Sequence, residues 1–260
     1  MRTKTQTTGV VAHLTELRKR LLYSFAALGI ASIISLFFAK RLYHWLSLPL
    51  LPYLQEGSSF IVTSPFESYI TYFKVAFTFG FLTSLPLIIY QILSFILPAL
   101  KPHEKKLILP LSLIAGLFFT GGAFFGYSFV FPALFASIQI ILEGTGITLL
   151  PRMDNYFSIA VTMLLAFGFS FELPLLIFIL GKIGILKHAK IASLRRMIIV
   201  ILFIAAAILT PGPDIISQCL LAIPLWILFE LGVFSLWILE KKSRGAAPKG
   251  SFRDSSGPTE

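Results

Sequence analysis

Three stretches of the chain, 21–39, 75–100 and 107–142, contain no Asp, Glu, Lys or Arg at all. A helix needs roughly 20 consecutive apolar residues to cross the hydrocarbon of a bilayer. Two further stretches, 156–181 and 215–239, carry one acid each, Glu172 and Glu230. Across the 260 residues 13% are charged, against about 25% in a water-soluble domain. The 26 phenylalanines exceed what a soluble core of this size can hide. Lipid is the natural solvent, and in lipid only helices or closed barrels satisfy every backbone polar group. Runs of this length select helices, so the expected fold class is all-α, a polytopic membrane protein.

Six spans are expected, at about 21–39, 75–100, 107–131, 156–181, 197–209 and 215–239, within one membrane-embedded domain over 1–240. The run 107–142 is too long for one crossing and too short for two. Gly121, Gly122 and Pro132 are read as breaking it, leaving 133–142 as a helix outside the hydrocarbon. The stretch 197–209 gives a helix of only about 20 Å, closed by the turn Thr210-Pro-Gly-Pro-Asp214. Four spans plus a re-entrant hairpin at 197–239 is the alternative. The intervening loops, 40–66 and 132–155, are too short for folded domains. The tail 241–260, rich in Ser, Gly, Pro and charge, is expected to be disordered. Residues 1–20 and the apolar run after them imitate a secretory signal. The basic pair Lys40–Arg41 replaces a small-residue cleavage site, so the run reads as a retained span.

The net charge of +10 sits in the short polar gaps, which points to membrane orientation and away from nucleic acid. With the N terminus inside, 18 of the 22 Lys and Arg fall on the cytoplasmic side; Lys40, Arg41 and Arg152 fall outside, and Lys74 sits at the outer end of the second span. Both termini are therefore placed in the cytoplasm.

No His-Glu-x-x-His, phosphate loop or nucleophile elbow is present, so no enzyme chemistry, cofactor or metal is expected. His13, His44, His103 and His188 lie in different polar segments, and Cys219 reads as a small packing residue. Glu16 stands among Arg18, Lys19 and Arg20, and Glu104 among Lys101, Lys105 and Lys106. From spacing alone Glu16 reads as part of an interfacial helix whose basic end anchors to headgroups, and Glu104 as a surface ion pair with a neighbouring lysine. Glu172 differs. A carboxylate in mid-span costs several kcal/mol and is functional by default, set against an internal hydrogen-bonded pair or a permanently protonated acid. Pro174 after it suggests a bent helix. Gln218 is read as a polar tie between helices, and Glu230 as a snorkelling acid.

Four segments taken in order resemble the TatC family, the multispan component of the twin-arginine protein translocase. They are His13-Leu-Thr-Glu-Leu-Arg-Lys-Arg-Leu-Leu22, Leu97-Pro-Ala-Leu-Lys-Pro-His-Glu-Lys-Lys106, Ala166-Phe-Gly-Phe-Ser-Phe-Glu-Leu-Pro174, and Leu209-Thr-Pro-Gly-Pro-Asp-Ile-Ile-Ser-Gln218. Ser64-Pro-Phe66 and Tyr90-Gln91 add to the match, which covers roughly 12–242. The resemblance implies a receptor for twin-arginine signal peptides that exports folded proteins, driven by the proton-motive force. Its partners would be TatA-like and TatB-like single-span proteins, in an oligomeric complex in the inner membrane of a bacterium.

The same resemblance assigns Glu16 and Glu104, with Arg18 and Phe95, to the signal peptide. It also makes Glu172 a buried acid facing a concave side, places Thr210 and Gln218 against the partners, marks Pro49 and Phe95 as sensitive positions, and carries over Asp214. The turn at Asp214 is one residue longer than the family's common form. The competing expectation is a proton-coupled secondary transporter using Glu172 and Lys74, although no paired repeats are visible.

Overall fold

A computed structural model describes residues 4–54, 60–96, 108–145, 150–209 and 215–245. Within them there is no strand, only an isolated bridge between Ile61 and Arg152. Helix α1 runs from Lys4 to Phe37 without interruption. The basic segment and the first span are thus one rod of about 51 Å. No proline occurs before Pro49 to break it, and Glu16 and Arg20 pair one turn apart on its surface. The chain turns at Phe38 into the short amphipathic helix α2, Ala39–Ser47.

Helix α3, Glu67–Ile96, starts ahead of residue 75, where the apolar run begins. The reason is a capping box. Ser64 precedes Glu67 by three, and the Glu67 carboxylate accepts from the backbone N–H groups of Ser64 (3.2 Å) and Thr63 (2.7 Å). Pro86 lies within α3, and its ring faces Gly116 of the next helix, where no larger residue fits.

Helix α4, Ile108–Phe125, continues through a π-helical turn, Gly126–Val130, into α5, Phe131–Leu142. The result is one unbroken 35-residue rod, Ile108–Leu142. Gly121 and Gly122 do not interrupt it. Pro132, in the first turn of α5, has no N–H to give, and the wide turn just before it shifts the hydrogen-bond register there. The chain continues with α6, Met153–Lys182, α7, His188–Ser193, α8, Arg195–Leu209, and α9, Ile215–Gly245. Among the described residues, five rods are long and apolar enough to span a membrane. Helix α8, with 15 residues or about 22 Å, is shorter than the hydrocarbon is thick. Helix α9 extends beyond residue 239, so part of the segment read as tail is helical.

The rods alternate in direction and define two faces. The first, here the N face, gathers the start of α1, the ends of α3, α6 and α9, and the segment α7–α8. The other face gathers α2, α5, residues 60–66 and the starts of α3 and α6. The segments read as loops on that second face form a packed cap. Tyr127 donates its hydroxyl to the Trp45 carbonyl (2.6 Å) and Tyr156 to the Leu46 carbonyl (2.7 Å), satisfying the free end of α2. Leu46 and Leu50 flank the turn at Pro49 and are fully buried beside Phe131 and Phe157.

Between helices the contacts depend on small residues, as expected where lipid removes any hydrophobic drive to associate. A Cβ on Gly122 would stand 2.5 Å from the Phe167 carbonyl oxygen of α6, whereas one on Gly121 would meet nothing within 4 Å. We expect Gly122→Val to cost about 1–3 kcal/mol and to lower the unfolding temperature of the solubilised protein. Gly121→Ala should leave it unchanged or raise it, because the helix gains from losing a glycine. Equal effects of the two would contradict this assignment of faces.

Candidate functional site

At the N face α1 and α3 bring together residues 70 or more positions apart. Arg20 donates from Nε to Glu16 Oε1 at 3.0 Å and also from Nη2 to the same oxygen. Its Nη1 reaches Gln91 Oε1 on α3 at 3.5 Å. One helical turn further out, the His13 ring stacks on Phe95, with centroids 4.4 Å apart and planes 14° from parallel. Glu16, Arg20, His13, Gln91 and Phe95 therefore form one patch, half-buried at Glu16 and Arg20. A carboxylate oxygen that accepts from two N–H groups of one guanidinium has the geometry a guanidinium fork requires. Arg18 remains exposed on the same helix and takes no part in these contacts.

Glu104, the second acid expected here, lies outside the described residues, as do Thr210 and Asp214. His13, Arg20 and Gln91 were not singled out as site residues from the sequence. The i,i+4 spacing of Glu16 and Arg20 was the available signal; the contacts of Gln91 and His13 with α1 and α3 are long-range and left none.

Glu172 sits midway along α6 and is half-buried; its Oε1 is buried with no hydrogen-bond partner among the described residues. Lys74, its companion in the transporter reading, is engaged elsewhere. Its Nζ donates to Asp154 Oδ1 (2.6 Å) and Ser158 Oγ (3.1 Å) on the second face. Asp154 precedes Glu172 by 18 residues, about 27 Å of helix. The two charges are therefore remote.

Lys74 belongs to a network that sequence reasoning missed. Glu67 Oε1 accepts from the backbone N–H of Asp154 (3.0 Å) while its Oε2 caps α3, so one carboxylate ties the starts of α3 and α6 together. Arg152 closes the network by donating to the Thr63 hydroxyl at 2.7 Å. The signal for it was Ser64-Pro-Phe-Glu67 read as a capping box.

Gln218 donates from Nε2 to the Phe203 carbonyl at 2.9 Å, pinning α9 to α8. Interhelical side-chain bonds in membranes average about 0.6 kcal/mol. Gln218→Leu should therefore lower the unfolding temperature by no more than about 1–3 °C, measured by thermal melting in detergent; a collapse of the fold would show that Gln218 carries more than this bond.

Residues 12–224 match the family described as "Sec-independent protein translocase protein (TatC)". The TatC protein of Azotobacter chroococcum mcd 1 is 36% identical over 241 residues, spanning 93% of this chain and 94% of its own. That of Escherichia coli K12 is 37% identical over 225 residues, 86% of each chain. A crystal structure of the twin-arginine translocase receptor TatC superposes with a TM-score of 0.76 at 36% identity, covering 88% of this chain and 99% of that one.

Proposed function

This chain belongs to the TatC family of Sec-independent protein translocase proteins, and from that premise we propose that it is the signal-peptide receptor of a twin-arginine translocase. It is a multipass membrane protein and a component of that translocase. The alternative of a proton-coupled transporter is set aside by the same family membership and by the separation of Lys74 from Glu172.

The observation that carries the receptor reading is the two-donor seat at Glu16. A signal bearing consecutive arginines presents the same group that Arg20 presents now. The incoming arginine displaces or shares with Arg20, and the second arginine goes to Glu104. A planar guanidinium fork suits a carboxylate better than a point-like ammonium does. The surrounding lysines repel peptides that lack such a match. Phe95 and His13 offer an aromatic edge beside the seat, where the signal's apolar part joins the helices.

The cytoplasmic placement of the N face follows from the 18 Lys and Arg counted to that side, in the inner membrane of a bacterium. TatA-like and TatB-like single-span partners dock along α8 and α9 near Gln218 and Thr210, in an oligomeric complex powered by the proton-motive force. Glu172, with an oxygen that has no hydrogen-bond partner among the described residues, draws water into the bilayer, and the short α8 adds to the local thinning.

The test is photo-cross-linking from position 95 to a signal peptide carrying Arg-Arg, against the same peptide carrying Lys-Lys. Strong labelling by the first and little by the second is expected; equal labelling removes the receptor reading. Arg20→Gln takes away the resident competitor, an exposed-type i,i+4 pair worth about 0.3–0.5 kcal/mol. Labelling by the Arg-Arg peptide should then rise about twofold.

A further inference from the structure

Helix α9 carries an acid, Glu230, ten residues before Glu240, which is about 15 Å deeper along the helix. Glu240 marks the N face, where it accepts from the His188 backbone N–H at 2.6 Å. Glu230 is met at its depth by Arg195, the first residue of α8, with Nη2 and Oε2 3.0 Å apart. The ion pair stands in a groove of about 400 Å³ between α9 and the start of α8. His188, Arg195 and Glu230 supply its polar part, and Trp226, Phe234 and Trp237 form its walls. Trp226 and Trp237 are about 40% exposed, so their rings stand open to whatever fills the groove.

Three features identify the occupant. The groove is amphipathic, with the ion pair at the depth of Glu230, Phe234 and Trp237 on its N-face side and Trp226 and Ile227 on its deeper side. That is the profile of a lipid with its headgroup against Arg195, between Phe234 and Trp237, and a chain running deeper over Trp226 and Ile227. The ion pair engages one Nη of Arg195, and a guanidinium fork has donors left that suit phosphate oxygens. The surroundings are cationic. Lys187, Lys190 and Arg196 are exposed beside the groove, and Lys241 lies 5.1 Å over the Trp237 ring. Basic pockets between spanning helices favour anionic headgroups.

We propose that this groove binds one anionic glycerophospholipid of the phosphatidylglycerol type, its phosphodiester on Arg195 and one acyl chain along α9. The site lies on the opposite end of α8–α9 from Gln218 and is independent of the signal-peptide seat. It gives the short α8 a fixed headgroup at the depth where its first residue, a charged one, has to sit.

The groove holds two of the three tryptophans, which makes the occupant measurable. The full chain, with Trp45→Phe to remove the third, is reconstituted in vesicles of mixed phosphatidylcholine and phosphatidylglycerol. One or the other lipid carries brominated acyl chains that quench tryptophan. The expected result is quenching by brominated phosphatidylglycerol with a relative affinity about fivefold above brominated phosphatidylcholine, the effect of one well-placed cation. In Arg195→Gln/Glu230→Gln, which keeps a hydrogen-bonded pair without charge, the ratio falls to about one. In Lys187→Gln/Lys190→Gln it stays near five.

Equal quenching by both lipids in the parent overturns the proposal, as it would if a protein helix were the natural occupant. Loss of preference in the lysine variant also overturns it, since attraction would then be diffuse. Displacement by millimolar inorganic phosphate would assign the groove to a free anion instead. Should the double variant fail to assemble, the parent ratio and the lysine variant still decide.

Discussion

Export of a twin-arginine reporter is expected to stop when Glu16 and Glu104 are both replaced by lysine, while the protein continues to accumulate in the membrane. Once a docked peptide shuts water out of the seat, a hydrogen bond to a charged group contributes about 1.5–3 kcal/mol, against about 0.3–0.5 for the exposed Glu16–Arg20 pair. Loss of one carboxylate therefore weakens binding of one arginine by about 10- to 150-fold. Glu16→Gln alone should fall in that range, read as transported reporter at limiting signal concentration. Reversal of both charges adds repulsion to the loss and takes export below detection. Glu16→Asp keeps the charge but pulls the seat back by one methylene, and an intermediate rate is expected.

The fold should be spared by the changes at Glu16. Glu16 and Arg20 are 39% and 23% exposed, an i,i+4 pair on a helix surface, and such pairs contribute about 0.3–0.5 kcal/mol. An immunoblot of membranes thus separates loss of function from loss of protein. Export at the parental rate from the doubly reversed variant would leave the guanidinium seat without a role.

The number and order of the long helices were legible because lipid imposes a simple rule: no charge over about 20 residues. Where that rule is silent the reading stopped short. The apolar run at 75 marks where α3 enters hydrocarbon, but the helix starts at Glu67, because a capping box is a local hydrogen-bond device that hydropathy does not register. Gly121 and Gly122 looked like a break. In a membrane helix, glycine more often marks a close neighbour than an end, and only Gly122 has one. The cap built on α2 was missed for a similar reason, since its cohesion comes from Tyr127 and Tyr156 reaching across 82 and 110 residues.

At the site, Glu16 was found as an acid out of place in a basic run. Its setting was not, because Gln91 and Phe95 reach α1 only through the way α1 and α3 cross. Local pattern finds a residue of unexpected type; it does not find the partners that tertiary contact assigns.

That crossing is the basis of the second large effect, expected from Gly80→Val. A Cβ at position 80 would stand 2.5 Å from the Ser32 Cα and 2.6 Å from its backbone nitrogen. Carbon atoms separate at about 3.5–4 Å, so α1 must lift off α3 by about 1 Å or more. Side chains cannot absorb the strain, because the obstruction is the backbone of α1 itself. For the same reason Ser32→Gly should not rescue the variant, although it removes the Ser32 hydroxyl, which is buried and has no hydrogen-bond partner among the described residues.

Apart from its end at α2, helix α1 leans on α3 and little else, so the displacement reaches the N face undamped. There it parts His13 from Phe95 and Arg20 from Gln91. The check uses His13→Cys/Phe95→Cys in a background with Cys219→Ser. Disulfide yield should be high while Gly80 is kept and fall severalfold once Gly80→Val is added, alongside a lower unfolding temperature and reduced export. Cross-linking and melting unchanged by Gly80→Val would mean that the two helices are not held at this point, and that the patch of Glu16 and Phe95 is assembled by some other contact.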